Sequence, residues 1–542
     1  MAQSKKILPL LGNEAVVLGA LESGVGFVST YSGTPASEIG NTFYRIKDIY
    51  NVRFEFSTNE IVALEAGIGA AYSGVKTLVA FKHFGLNVSM DAFIPLSYTW
   101  PRAGMVIVFA DDPNCYSSAQ SEQDSRIYKD LLHLPMLEPG TPQQAKDFTK
   151  LAFEISEKFE KPVVIRMVGR VSLQTGPVIK GKIKRPKTTG KFIKSRERFN
   201  TMPPDVLEQK RKLLKLKQPI RKYLQTKNIN PIIYPRGYSK KSGIITSGIG
   251  FQYTKEAQVT LNSRLPVLRI DSIYPLPVEK INQFIKDKSK VLIIEEGEGV
   301  IEKEIKVLSK EINPKLRIFG KDLIEPVGEL NPDKVTLVLS KFLGKKYSIK
   351  ESSLKLTRRT PRFCPGCPYW SIFGAIKQAV NPEKVVFCGN IGCYMMGYFP
   401  PFEMTDTLLC MGDSISVAHG IKKVSKQKVI AFIGDSTFLH AGIPGVINAC
   451  YNKSNPLIIV FDNNVVAMTG HQPRPTVKVE NILSAAGVKN IEVLDPVTEN
   501  EKLKQTIKQF LNKSEISAIV CRHPCLYANS LERKVGQSPF KL

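Results

Sequence analysis

Short apolar runs rich in β-branched residues recur along this chain, each ending near a polar or glycine-marked turn and followed by a helical pattern. That alternation restricts the chain to the α/β folds. In the first part the runs lie at 27–31, 77–81, 105–109 and 162–167, with helical patterns at 13–22, 59–72 and 142–158. Parallel strands need a crossover between them, so the pattern predicts a doubly wound parallel sheet. It returns on a smaller scale at 243–246, 267–271 and 291–295, and again at 385–388, 429–433, 457–461 and 519–521. The reading is three doubly wound parallel-sheet domains, at 1–178, 241–345 and 352–542, with 179–240 as a connector. Polar turns at strand ends, Ser32-Gly33-Thr34-Pro35 and Asp111-Asp112-Pro113, fall where open α/β sheets place ligands.

The connector carries most of the unusual charge. The chain has 76 Lys and Arg against 49 Asp and Glu, a net of +27. Residues 180–240 hold 19 of the bases and only Glu197, Asp205 and Glu208, a local net of +16. A nucleic-acid contact is one reading. A solvated, partly helical linker clamped on an acidic subunit is the other, and the scarcity of interleaved aromatics favours it, so no nucleic acid is expected. A composition of 43% hydrophobic and 23% charged residues excludes a disordered tail or a disulfide-stapled miniprotein. No leader pattern opens the chain and no run of ~18 uncharged apolar residues occurs, so no membrane span is expected and the cytoplasm is the expected compartment. There, cysteines read as metal or cluster ligands, redox thiols or packing before disulfides. Cys115, Cys388, Cys410, Cys450 and Cys521 are read as small buried apolar residues.

The most specific chemistry lies at 429–437, VIAFIGDST, where a strand ends in Gly434-Asp435-Ser436. A helical stretch and a second strand follow, and that strand ends in Asp462-Asn463-Asn464. Parallel strands ending side by side bring Asp435 and Asn463 to one point, and Gly434 permits a tight turn whose amides approach a phosphate. A carboxylate, an amide oxygen, a backbone carbonyl and phosphate oxygens form a plausible Mg²⁺ shell. A lone Gly-Asp-Ser would be no more than a helix N-cap. Glu60 opens a helix of small and apolar residues, so it is either dipole compensation or a buried functional acid; Gly67, Gly69, Ala70 and Ala71 let something pack close.

The pair of strand ends is similar to the GDG-to-NN signature of thiamine diphosphate enzymes, with Ser436 in place of the last glycine. The runs CPGCPYW (364–370), NIGCYMMGYFPP (390–401), LCMGDSISVAHG (409–420), GDSTFLHAGI (434–443) and AMTGHQP (467–473) resemble the α subunits of indolepyruvate:ferredoxin oxidoreductases. So do TYSGTPASEI (30–39), STNEIVALEAGIGAA (57–71), FKHFGLN (81–87) and SEQDSR (121–126). The resemblance covers nearly the whole chain in order, is weakest in the connector, and belongs to the 2-oxoacid:ferredoxin oxidoreductase superfamily. It implies thiamine-diphosphate-enzyme domains: pyrimidine-binding at 1–178, transketolase C-terminal-like at 241–345, and diphosphate- and Mg²⁺-binding at 352–542. Asp435, Asn463 and the Val465 carbonyl would hold Mg²⁺. Gly412, Gly434, Ser436, Thr437 and Thr469 would lie near the cofactor. Glu60 would face its aminopyrimidine ring and share a proton with it, and Thr34 would lie near the substrate carboxylate.

Cys364-Pro-Gly-Cys367 is a CxxC that alone is ambiguous among zinc, a dithiol and a cluster; no second CxxC makes a zinc ribbon. The family's proximal [4Fe–4S] cluster maps onto Cys364, Cys367, Cys393 and Cys525. Two departures stand out. The familiar form ends in a ferredoxin-like domain, whereas no cysteine follows Cys525 here, so a separate ferredoxin-like subunit or a ferredoxin is expected to take the electrons. Pro368-Tyr369-Trp370 stands where the family usually has a histidine and a basic residue, which changes the cluster's surroundings.

His83, His440 and His471 fall inside these motifs as proton relays or structural histidines. Arg126 is either a bidentate partner for a substrate carboxylate or a surface ion pair. The implied activity is oxidative decarboxylation of a 2-oxoacid, an aryl pyruvate such as indolepyruvate, to an acyl-CoA, with one-electron transfer to the cluster and coenzyme A as co-substrate. A small β-type subunit would complete a hetero-oligomer. The rivals are a non-oxidative thiamine diphosphate-dependent decarboxylase and an assembly or nucleic-acid-binding protein that keeps only the fold.

Overall fold

The computed structural model describes residues 6–349, 357 and 359–540. The internal apolar runs become strands within a residue or two of their expected limits, because each is covered on both faces and burial leaves no alternative. The chain divides into two compact units, Met1–Ser353 with Gly536–Leu542, and Leu354–Val535.

In the first unit a seven-stranded sheet runs Ser272–Tyr274, Met136–Leu137, Val163–Val168, Met105–Asp111, Thr77–Lys82, Phe27–Thr30, Arg53–Phe56. All neighbours are parallel except Ser272–Tyr274, which lies antiparallel on Met136–Leu137. Alternate side chains feed separate cores: Leu78, Ala80, Val106 and Val108 on one face, Val79, Phe81, Ile107 and Phe109 on the other. A second sheet, Arg317–Phe319, Lys290–Ile294, Ser242–Ser247, Val267–Ile270, Ile232–Ile233, is parallel apart from its last strand. Ile245, Leu268 and Ile293 of this sheet pack in the same core as Val79 and Phe81, so the two sheets share one apolar interior.

The basic segment is more than a solvated linker. Lys184 N–H donates to the Leu21 carbonyl and Lys191 N–H to the Ser73 carbonyl, so the extended part is stitched to the first sheet's helices. Its helices Asp205–Lys215 and Lys217–Gln225 bury Leu213, Ile220 and Leu224, and Ile232–Ile233 closes an edge of the second sheet. The charge sits on the outward faces of amphipathic helices whose apolar faces belong to the core. Past the second unit, Gly536 N–H donates to the Arg45 carbonyl and Phe540 is fully buried against the first unit's core.

The second unit holds one all-parallel sheet, Val385–Cys388, Lys428–Gly434, Leu457–Asp462, Ser517–Arg522, Asn490–Leu494. Ile430, Phe432, Ile459 and Phe461 face one core, and Ala431, Ile433, Ile458 and Val460 the other. Cys388 and Cys521 are buried in these cores, while Cys410 is exposed and Cys115 and Cys450 are half-buried, so the buried-apolar reading holds for two of the five. No helix among the described residues is long and apolar enough to cross a membrane.

Candidate functional site

At the carboxyl end of the first sheet, three adjacent strands place their following loops side by side. Phe27–Thr30 leads to Thr34, Thr77–Lys82 to Lys82 and His83, and Met105–Asp111 to Asp112. Thr34 Oγ1 lies 3.4 Å from Ser37 Oγ, and its carbonyl lies 3.1 Å from Ser117 Oγ. Glu60 is 5% exposed at the start of the helix Glu60–Tyr72, whose N-cap Asn59 accepts from the Val62 amide at 3.0 Å. Glu60 lies directly on Gly85, in the helix that follows Lys82: a methyl group on Gly85 would overlap the Glu60 side chain. Of the small residues, Gly67 packs tightly against Val79 and Thr77, whereas Gly69 meets nothing.

Sequence reasoning missed Lys82. It is 7% exposed, and its ammonium donates to the Ser117 carbonyl at 2.8 Å and reaches Asp112 Oδ2 only at 3.5 Å. Burial lowers its pKa to about 8, against the opposing pull of Asp112. Asp112 accepts from Ser117 N, Ser117 Oγ and Ser118 Oγ, which hold its pKa down despite burial. Burial likewise lowers His83, whose Nδ1 lies 3.3 Å from the Ala110 carbonyl and whose buried Nε2 has no partner among the described residues.

Both readings of Arg126 are overturned. It is 0% exposed, pairs with Asp124 at 2.5 Å and Glu295 at 2.9 Å, and donates to the Glu296 and Glu298 carbonyls. It ties the first sheet's loops to the second sheet's and is available to neither substrate nor solvent.

In the second unit, Gly434 and Phe461 are paired across the two strand ends, so Asp435 and Asp462 emerge together. The Asn464 amide donates to Asp435 Oδ2 at 2.9 Å, which joins the 463–465 turn to Asp435. Asn463 Oδ1 accepts from the Val465 amide at 3.1 Å, and its Nδ2 donates to the Tyr369 hydroxyl at 2.9 Å. Burial and neighbouring Asp462 raise the Asp435 pKa, opposed by Arg474, whose Nε lies 2.6 Å from Oδ2. Arg474 also reaches Asp462 at 2.9 Å. A buried carboxylate pair holding a guanidinium, beside an amide oxygen and a buried Val465, is a cation-seeking oxygen set, and these residues fit Mg²⁺.

Around them the loops converge through Asn390, another residue the sequence reading passed over. Its Oδ1 accepts from the Gly412 amide at 3.0 Å and the Ile391 amide at 2.8 Å, and Nδ2 donates to Ser414 at 3.0 Å. Thr437 Oγ1 donates to the Ile391 carbonyl at 2.9 Å, and Ser436 N to Asp435 Oδ1 at 2.7 Å. Gly412 has φ +92° and no room for a side chain, with Ala441 2.7 Å from where a Cβ would stand. Gly434, by contrast, has φ −80°, so the expected reason for it is corrected: a Cβ there would stand 2.9 Å from the Tyr394 ring. Thr469 sits apart from these loops' hydrogen bonds, bonded to Gln472 at 2.7 Å. His471 stacks edge-on against Tyr527, and burial lowers its pKa.

The four cysteines gather in the same unit. Cys393 is pushed up to about 12 by burial and by its neighbours Cys367, Cys525 and Cys364, and Cys367 to about 11 by burial and by Cys364 and Cys525. Four thiols close enough to influence one another, with Cys364 exposed and Cys367, Cys393 and Cys525 half-buried, are the donor type that an iron–sulfur cluster takes. Among the described residues, no three His, Cys, Asp or Glu side chains are spaced to hold a single ion. The Cys525 amide donates to the Asn463 carbonyl at 3.2 Å. Buried Tyr369, two residues after Cys367, bonds the Asn463 side chain, and Trp370 Nε1 donates to the Cys364 carbonyl at 3.2 Å.

Two family models match the chain. Residues 18–212 match the thiamine diphosphate-binding domain of pyruvate flavodoxin/ferredoxin oxidoreductases, and residues 390–521 the C-terminal binding domain of thiamine pyrophosphate enzymes. The class is therefore that of thiamine diphosphate-binding ferredoxin oxidoreductases. Indolepyruvate oxidoreductase subunit IorA of Methanothermobacter thermautotrophicus is 37% identical over 97% of this chain and 88% of its own. The Pyrococcus horikoshii protein of that name is 37% identical over 98% and 88%. This chain belongs to the indolepyruvate oxidoreductase IorA family. A solved 2-oxoglutarate:ferredoxin oxidoreductase from Magnetococcus marinus shares 16% identity with a TM-score of 0.49 over 62% of this chain and 65% of that one.

Proposed function

We propose that this chain is the cofactor-bearing subunit of a cytoplasmic complex that oxidatively decarboxylates an aryl 2-oxoacid, indolepyruvate being the favoured substrate, and forms an acyl-CoA. The relatives carry that substrate in their names, and they are named as subunits of an oxidoreductase; nothing comparable supports a non-oxidative decarboxylase. Thiamine diphosphate, when bound, supplies the nucleophilic carbon and the electron sink for decarboxylation.

The chain's own groups then divide the work. Glu60, buried at the start of an apolar helix against Gly85, would hold the cofactor's pyrimidine end and exchange a proton there, and Thr34 would contact the substrate carboxylate. Asp435, Asn463 and the Val465 carbonyl hold Mg²⁺ and, with Gly412, Gly434, Ser436, Thr437 and Thr469, the diphosphate. Cys364, Cys367, Cys393 and Cys525 hold a [4Fe–4S] cluster, from which a ferredoxin or ferredoxin-like subunit draws electrons. A small β-type subunit completes the assembly. The domain roles are pyrimidine-binding for 1–178, transketolase C-terminal-like for 241–345 and diphosphate-binding for 352–542, with 179–240 as the strap between the first two.

One observation carries the oxidative reading. The cysteine set and the Asp435–Asn463 loops share a wall, through the Cys525-to-Asn463 backbone bond and the Tyr369 hydroxyl on Asn463. An electron acceptor built against a cofactor's metal loop has no use in a non-redox decarboxylase. The test is anaerobic purification with iron and sulfide analysis and a visible spectrum. About four irons per chain, bleaching with dithionite, and acceptor-dependent turnover of indolepyruvate are expected. An iron-free chain that releases aldehyde without an acceptor would overturn the proposal.

A further inference from the structure

We propose that the Lys82 ammonium binds the carboxylate of the 2-oxoacid substrate. This rests on the functional reading above and adds to it the residue that recognises the substrate's charged end. The basic groups otherwise near this edge of the sheet are committed elsewhere. Arg126 is enclosed by Asp124, Glu295 and two carbonyls, and Arg166 is held by Asp111 at 2.8 Å and Glu138 at 3.0 Å. Lys82 has three protons but two oxygen acceptors, one of them distant at 3.5 Å, with the Phe84 ring centroid 5.1 Å from its ammonium as a weaker third contact.

Its position suits the role. Lys82 ends the middle of three adjacent parallel strands, between the loop of Thr34 and the loop of Asp112. Gly33 leaves room for it: a Cβ there would stand 2.7 Å from Lys82 Cβ. Ser117 joins the two flanking loops, accepting from Lys82 through its carbonyl while its single hydroxyl proton lies between Asp112 Oδ2 at 2.9 Å and the Thr34 carbonyl at 3.1 Å. Lys82 is also the N-cap of the helix His83–Tyr98, which has no side-chain cap, and the start of such a helix favours an anion. The buried, unpartnered His83 Nε2 at the same helix start marks polar capacity that the protein itself does not fill. Gly85, one turn on, carries Glu60 against it.

The titratable groups facing Lys82 are Asp112 and Cys115 on the loop after the Met105–Asp111 strand, Asp111 at that strand's end, and His83 on its own helix; the Ser32–Pro35 turn contributes none. Burial outweighs them and sets the lysine near pH 8. In the wild-type complex, KM for indolepyruvate should therefore rise as pH passes about 8, while KM for coenzyme A does not follow it.

The decisive comparison uses the complete complex with wild-type, Lys82→Met and Lys82→Arg chains. Lys82→Met should raise KM for indolepyruvate ~10- to 100-fold with a smaller change in kcat. Lys82→Arg should recover most of that loss and move the alkaline rise in KM beyond the accessible range. As a binding readout, the wild type should prefer indole-3-propionate to its neutral amide, and Lys82→Met should erase that preference while retaining thiamine diphosphate. An unchanged KM in Lys82→Met, or equal binding of acid and amide by the wild type, would overturn the assignment while leaving the enzyme's function standing. A wild-type complex that turns over no 2-oxoacid would overturn the functional reading itself, and this assignment with it.

Discussion

Residues whose chemistry is general were the hardest to find. Lys82 is one of 76 bases, and only its burial between two loops separates it from the rest. Asn390 reads as a turn residue until its carbonyl is seen to hold two loop amides. Glu60 and Asp435 stood out in the sequence for different reasons: Asp435 ends a clear apolar strand, whereas Glu60 opens a helix of small and apolar residues and was singled out by the resemblance. At Glu60, replacement by Gln should lower kcat ~10²- to 10⁴-fold with thiamine diphosphate binding retained, measured by titration of the apoenzyme; full activity would remove its role. Gly85→Ala should displace Glu60, lowering activity in the same direction and costing about 1–3 kcal/mol of stability by crowding, read from denaturant unfolding. Asn390→Ala leaves the Gly412 and Ile391 amides without their acceptor and should cost about 1–3 kcal/mol.

Elements covered on both faces announced themselves; among edge strands Val385–Cys388 did so too, but others did not. The runs at 77–81, 105–109, 429–433 and 457–461 are central strands, and their near-continuous apolar character follows from burial by helices above and below. Arg53–Phe56, Ile232–Ile233 and Asn490–Leu494 lie at edges, where half-exposed positions blur the pattern. The connector was read as solvated and partly helical, and it is largely both, but its docking was not legible: its charges are outward and plentiful, while the few residues that dock it, Leu213, Ile220 and Leu224, are sparse. The cysteine set spans three separate stretches of chain, so spacing alone revealed only the CxxC pair. Serine at Cys367, Cys393 or Cys525 should reduce iron from about four per chain and weaken the visible absorbance, while leaving the first unit's stability unchanged.

Across the whole first unit, two sheets are fastened by buried charge. Asp124, Glu138 and Glu295 surround Arg126 and Arg166, with Glu296 close by. Removing one partner strands the others, so Arg126→Met should cost about 3–5 kcal/mol, visible as a lower denaturation midpoint. Glu296 is raised from 4.5 to about 7, chiefly by burial and despite Arg166. Between those values the folded chain binds a proton the unfolded one releases, so this group's contribution to stability falls as pH rises through that window. Glu296→Gln should therefore stabilise the protein more at pH 8 than at pH 5, compared by denaturation at the two pH values. Equal effects at both would mean that Glu296 titrates normally.

The return of residues 536–540 to the first unit imposes an order of assembly. Phe540 fills a core whose other walls are made of residues up to Tyr253, yet it is translated only after the whole of 354–535. At ~5–20 residues per second, the ribosome leaves the first unit one side chain short of closure for roughly 10–40 s. During that interval the stretch carrying the cysteines emerges from a chain whose earlier part is still unsealed. The second unit has the time to fold before the tail locks the first.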